Sequence, residues 1–433
     1  MTEEIKLQIE RAHKAIDDAA SDLVNTAIYL HDHPETGLQE VQAVACISEV
    51  MKAYGFAVQQ DVSDGNIAEL KTSLRADRDP AGDVTSEHNK VVRIHEDGEV
   101  QHHKSSEMPT HENGEVQNQL QGQVPFKMAF LGEYDALPEL GHGCGHNLIA
   151  PMSMGAAIGF AAARPDAVTT FFGCPAEETV GGKVYMAESG VFAGYNGALL
   201  THPGDANELG GSSLASHPLE VVFHGKAAHI AAPKGSGINA LDCLVTYYGR
   251  VKALLDTWGD EALIGIMITE GGAAPNIIPE RAALHMTVRA KHVEFLENTM
   301  LPALRQTAQA CAEQYGATVT CRHYEPLFKD LREDKTLQYI AFQVMTKYGE
   351  MPQILPDDMA EGSTDMGNVS HEIPTLQLTL QIGQDLGLHT PAFVAAAKSD
   401  KALQQVIKGA KMMAEIAILY GACEADGARI NKA

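Results

Sequence analysis

The stretch Gly141-His142-Gly143-Cys144-Gly145-His146-Asn147 sets a thiol and an imidazole two residues apart in a glycine-rich turn. That donor pair suits a zinc-like or manganese-like ion. Further along come an adjacent carboxylate pair, Glu177-Glu178, and two isolated histidines in loop-like contexts, His202 and His389. A soft donor, imidazoles and one or two carboxylates can build a two-metal hydrolytic centre. Amide hydrolysis needs a strong nucleophile, stabilisation of developing charge and a proton for the leaving nitrogen. Two ions can acidify water and polarise the carbonyl, and a nearby carboxylate can carry the proton. Adjacent glutamates point in different directions, so Glu178 can bind metal while Glu177 acts as base. The alternative is a solvated helix N-terminus, a position that acids favour.

Cys144 is open to three readings: metal thiolate, catalytic nucleophile or structural thiol. The spacing to His146 suits a shared metal site better than a thiol–imidazole couple. His142 can support the ligands from behind. Asp135, in Gly132-Glu133-Tyr134-Asp135-Ala136-Leu137-Pro138, lies just past an apolar strand. There it can fix the tautomer of a ligand imidazole or cap a turn. Glu133 has no evident role. His229, Asn276 and Arg289 are too distant in sequence to assign by spacing, although an arginine can clamp a carboxylate bidentately.

The elements that must position these residues follow from periodicity. Residues 1–29 predict a helix, with Ile5, Ile9, Ala12, Ile16, Ala20 and Leu23 three or four apart. His33-Pro34-Glu35 breaks it, and a second helix is expected from Glu40 to Tyr54. Residues 83–121 are rich in His, Glu, Lys, Asn and Gln and read as an exposed polar insertion. Lys127–Gly132, Val168–Gly173, Gly197–Thr201 and Thr375–Leu380 predict core strands, the first three ending at polar loops and all separated by helical segments. That is an α/β sheet with a site at its carboxyl edge. A second, smaller α+β domain is expected from about Ser212, with strands at Leu219–His224, Leu263–Ile268 and Ala282–Val288 and helices at Ala240–Leu255 and Val293–Tyr315. The chain returns to the first domain near Leu327 and closes with a helix over Ala395–Tyr420.

The 433 residues exceed one ordinary core, so two domains are expected. Hydrophobic residues make up 45% and charged residues 21%, and no apolar run is long enough to span a bilayer. The formal net charge of -25 opposes nucleic acid and anionic membrane as partners. Seven cysteines without a framework pattern and a polar, acidic N-terminus point to a reducing, cytoplasmic setting.

Taken in order, the motifs resemble the M20 metallopeptidase and amidohydrolase family, on the side of p-aminobenzoyl-glutamate hydrolase and aminoacylase-like dipeptidases. They are His33-Pro34-Glu35, Gly132 to Pro138, His142 to Asn147, Pro175-Ala176-Glu177-Glu178, Thr201-His202-Pro203, His224 to His229, Ala274 to Pro279, Gly362-Ser363-Thr364-Asp365 and His389-Thr390-Pro391. The resemblance implies a zinc-peptidase-like α/β catalytic domain interrupted by a smaller α+β lid or dimerisation domain. The parts expected are 1–211 (with the 83–121 insertion), 212–326 and 327–433. It implies two divalent ions, zinc or manganese with cobalt also fitting, held by Cys144, His146, Glu178, His202 and His389. Glu177 is then the general base and Asp135 the supporting carboxylate. His229 would meet the substrate or transition state, and Asn276 and Arg289 the substrate carboxylate. The implied partners are a small amide substrate and a second copy of the chain, and the insertion offers a place for another subunit. The implied activity is hydrolysis of N-acyl amino acids or dipeptide-like amides with a free carboxylate. A narrow dipeptidase and a non-catalytic binding relative are the alternatives. One departure stands out: aminopeptidase-like relatives carry His-x-Asp where this chain has Glu133-Tyr134-Asp135.

Overall fold

The computed structural model describes residues 1–62, 71–80, 125–360, 362–425 and 427, with the backbone alone of 90–94 and 100–104. Two compact units emerge. One comprises residues 1–210, 332–356 and 369–433, and the other 211–331 with 357–368.

In the first unit, helix Glu3–Asp32 buries Ile9, Ala12, Ile16, Leu23 and Leu30 along one stripe. It packs with helix Asp400–Ala425 against helix His146–Ala163, which is buried almost throughout and rich in Ala, Gly and Met. Among the described residues one sheet runs Ala57–Gln60, Leu74–Arg78, Val168–Cys174, Lys127–Glu133, Gly197–Gly204, Thr375–Gln381, Glu208–Ser212 and Gln353–Ala360 in spatial order. The four strands Val168–Cys174, Lys127–Glu133, Gly197–Gly204 and Thr375–Gln381 are mutually parallel neighbours. Their carboxyl ends therefore open on one edge, where loops can bring distant residues together.

The expected C-terminal helix is two helices, Pro391–Ala396 and Asp400–Ala425. Apolar spacing continues across the break, but Ser399 accepts a hydrogen bond from Ala402 N at 3.2 Å and caps a fresh start. The polar insertion lies mostly outside the described residues, as do the side chains of its histidines. Within it, the backbone of Lys90–Ile94 pairs antiparallel with Val100–Lys104.

In the second unit, the antiparallel sheet runs Ala262–Glu270, Arg281–Ala290, Leu219–His224 and Thr318–His323, with Ala215–Ser216 paired to Arg281–Ala290. Helices Ala240–Trp258 and Leu301–Tyr315 share its core, with Leu244, Tyr247, Leu304 and Cys311 meeting Phe223, Leu284 and Met286. The segment expected to be one helix from Val293 contains a wider π turn at Leu296–Met300. Pro302, two residues beyond it, has no N–H to continue a regular ladder.

Candidate metal centre

The carboxyl edge of the parallel strands delivers the sequence-predicted donors. Glu133 closes one strand, and Asp135 and the Cys144 turn follow it. Glu177 and Glu178 follow Cys174, His202 lies at the end of Gly197–Gly204, and His389 is in the loop after Gln381. The turn fits only because residue 145 is glycine. Its φ is +81°, and a Cβ there would sit 2.5 Å from Pro203 Cγ, next to His202. On the other side, His389 N donates to Gly143 O at 3.0 Å, and His389 itself holds a left-handed φ of 60°. A non-glycine residue in that region is strained, and such strain persists where the surroundings enforce it.

Three overlapping donor groups result, each with ligand atoms within 4.8 Å of one another: Cys144, His146 and His202; Cys144, Glu178 and His389; and His146, Glu177 and Glu178. Cys144 Sγ lies 3.5 Å from His202 Nε2, and His389 Nε2 lies 3.3 Å from Glu178 Oε1. Tetrahedral bonding to one zinc-like ion separates a thiolate and an imidazole by about 3.5 Å and two nitrogen or oxygen donors by roughly 3.3 Å.

Asp135 orders two of these residues at once. Its Oδ1 accepts from His146 Nδ1 at 2.9 Å, and its Oδ2 accepts from Glu178 N at 3.0 Å. Both oxygens are thereby used, which leaves His146 Nε2 facing the other donors. Burial opposes the Asp135 charge, but His146 outweighs it and holds the carboxyl below its usual range. His202 Nδ1 donates to Pro203 O at 2.8 Å, so its Nε2 faces Cys144.

The donors fit a cation by their lack of other partners. His146 Nε2 and Glu178 Oε1 are buried without a hydrogen-bond partner, an arrangement that is costly unless positive charge completes it. Burial also pushes the lone Cys144 thiol up to about 12, and only a strong neighbouring cation makes a buried thiolate stable. The side chain of Glu178 is only 9% exposed, which removes the solvated-helix alternative for it.

His142 lies apart from the donors. Its Nε2 donates to Leu30 O at 2.9 Å, and burial lowers its pKa to about 3, so it is a neutral anchor to the first helix. Glu35 accepts from Gln42 N and Ala43 N and so caps helix Val41–Ala53. Sequence reasoning passed over two residues. Glu40 is fully buried, and its Oε1 accepts from Ala176 N at 2.8 Å just ahead of Glu177. Lys183 is fully buried against Glu133; a lysine among Val184, Met186 and Ala187 was the available signal.

The second unit holds the other predicted residues. His229 and Asn276 are neighbours: the pair Ala228–His229 ladders with Ile277–Ile278, and Ile230 N donates to Asn276 O at 2.9 Å. Both are exposed. Arg289 sits at the far end of strand Arg281–Ala290, opposite Ser216, with its Nε buried and unpaired. The structure therefore separates Arg289 from His229 and Asn276 by most of one strand.

Comparison with known proteins gives these features a family. Residues 216–318 match the peptidase dimerisation domain of M20 proteins. The Xaa-Arg dipeptidase of Mus musculus is 34% identical over 306 residues, covering 69% of this chain and 70% of its own length. The chain belongs to the M20 family of metallopeptidases and amidohydrolases. A p-aminobenzoyl-glutamate hydrolase subunit of Escherichia coli is 29% identical over 53% of this chain and 52% of its own. In fold, the chain is similar to a dinuclear metal-binding M20 peptidase from Bacillus subtilis, with a TM-score of 0.63 at 18% identity over 93% of this chain and 98% of that one. Membership and the donor cluster together support metal-dependent hydrolase activity. Among the described residues, no helix is long and apolar enough to cross a membrane.

Proposed function

We propose that this chain hydrolyses the amide bond of small N-acyl amino acids or dipeptide-like substrates with a free carboxylate, using two divalent ions. The observation that carries this reading is the convergence of Cys144, His146, Glu178, His202 and His389, with unpaired buried atoms at His146 and Glu178. These five residues hold the ions, with zinc, manganese and cobalt all compatible with the donor set. When bound, the ions polarise the amide carbonyl and lower the pKa of water. Glu177 takes the attacking water's proton and passes it to the leaving nitrogen. Asp135 keeps His146 in the tautomer whose Nε2 faces the donors.

Arg289 receives the substrate carboxylate. His229 and Asn276 adjoin each other near the Arg281 end of the strand that carries Arg289 at its other end, so the pair serves the site of a second copy in a homodimer, Asn276 at the substrate carboxylate and His229 at the developing oxyanion. The edge strand Ala262–Glu270 exposes Leu263 and Met267, and helix Ala240–Trp258 exposes Val245 and Tyr248. This apolar surface lies within the stretch matched by the dimerisation domain and is where the copies meet.

A narrower reading, a dipeptidase for basic C-terminal residues, is favoured by the Xaa-Arg dipeptidase relative and by the net charge of -25, which attracts cationic substrates. A product-resolved screen of N-acyl amino acids and dipeptides, run on chelator-treated and ion-restored protein, tests both. Hydrolysis lost on chelation and regained with zinc or manganese is expected, and the products name the substrate class. Hydrolysis that survives verified metal removal, or substrate binding without turnover by the ion-loaded protein, overturns the proposal.

A further inference from the structure

Glu133 ends strand Lys127–Glu133 with a carboxylate only 2% exposed, and nothing in the chemistry above requires it. Its Oε1 receives Lys183 Nζ at 2.6 Å. Its Oε2 is buried with no hydrogen-bond partner and lies 3.3 Å from His146 Nε2, which also has none. With Nδ1–H committed to Asp135, a neutral His146, the form that binds a metal ion, turns the lone pair of Nε2 toward Oε2. Two electron-rich atoms buried face to face repel unless positive charge lies between them. Their spacing equals that of His389 Nε2 and Glu178 Oε1, and it is about the 3.3 Å expected of two donors on one ion.

We propose that Glu133 is a sixth donor of the metal centre, sharing an ion with His146 through Oε2, while Lys183 holds the other oxygen and aims the carboxylate. This rests on the two-ion reading and extends it. The place where aminopeptidase-like relatives carry the histidine of His-x-Asp is then filled by an anionic oxygen. Lys183 offsets the added charge, and the oxygen makes this position harder, favouring manganese over softer competitors. The purely structural alternative is an ion pair that only fills the core beneath the turn.

Titration of metal-free protein with Co(II) and with Mn(II), followed by calorimetry and by the Co(II) visible spectrum, separates the two. Glu133→Gln keeps the side chain's size and should weaken one of the two ions by about tenfold or more, with a shifted Co(II) spectrum. The double variant Glu133→Gln/Lys183→Met removes both charges together, which commonly preserves folding, and circular dichroism checks that it does. It should show the same weakening. A folded double variant that binds both ions with wild-type affinity and spectrum overturns the assignment of Glu133 alone. Wild-type protein that binds no ion in the same titration overturns the two-ion reading and this inference with it.

Discussion

The donor cluster of the first unit and the edge strand and outer helix of the second break the ordinary rule of burial in opposite directions. The first unit buries polar atoms without partners, at Glu133, His146 and Glu178. The second exposes large apolar side chains on its edge strand and outer helix, with Leu263 57%, Met267 60% and Val245 57% accessible. Each is costly for an isolated chain, and under the proposed function each is relieved by something the chain does not itself contain: a cation in the first unit, another copy of the second. The chemistry and the assembly are thus written in different atoms, which makes them separable by mutation.

The largest effect is expected at the base. Glu177→Gln should lower turnover by roughly 100-fold or more while metal analysis still finds both ions; near-normal turnover would remove Glu177 from its role. The sharpest test of the division between units mixes that variant with His229→Ala. If His229 acts on a second copy's site, half of the randomly exchanged dimers carry one intact site, and activity recovers to about a quarter of wild type. No recovery would place His229 in its own chain's site. Met267→Lys should come next, shifting the dimer toward monomer in sedimentation experiments and leaving the ion content untouched. Loss of ions in that variant would show that the units are not separable.

The smallest effect concerns Glu40, which burial, aided by the charge of Asp135, pushes up to about 7. An acid whose folded pKa is raised binds more protons folded than unfolded. Its contribution to stability is therefore full at low pH and lost as pH rises from the ordinary carboxylate range to about 7. The whole change is roughly 3 kcal/mol. Glu40→Gln keeps an acceptor for Ala176 N, so its denaturation midpoint should vary less between pH 5 and 7.5 than that of the wild type. An equal variation would mean that Glu40 does not titrate there.

Much of this was legible in the sequence, and the reasons are local. Continuous apolar runs such as Lys127–Gly132 mark strands buried on both faces, and the carboxyl ends of the four parallel strands, with the polar loops after them, carry the donors. Strand Gln353–Ala360 was not legible, because Pro356, Asp357 and Asp358 interrupt any alternation and most of the strand is exposed. The break at Ser399 was hidden by helical spacing that continues across it. Among site residues, Cys144, His146 and the Glu177-Glu178 pair announce themselves by spacing. Lys183 and Glu40 do not: their partners, Glu133 and Ala176, lie 50 and 136 residues away, and pairings across such distances exist only once the sheet has formed.

Anomalous X-ray diffraction from zinc-loaded crystals tests the central claim most directly. Two peaks roughly 3.5–4 Å apart, bounded by Cys144, His146, Glu178, His202 and His389, are the predicted result. A metal-replete crystal in which those side chains surround no peak, with zinc bound elsewhere, would contradict it.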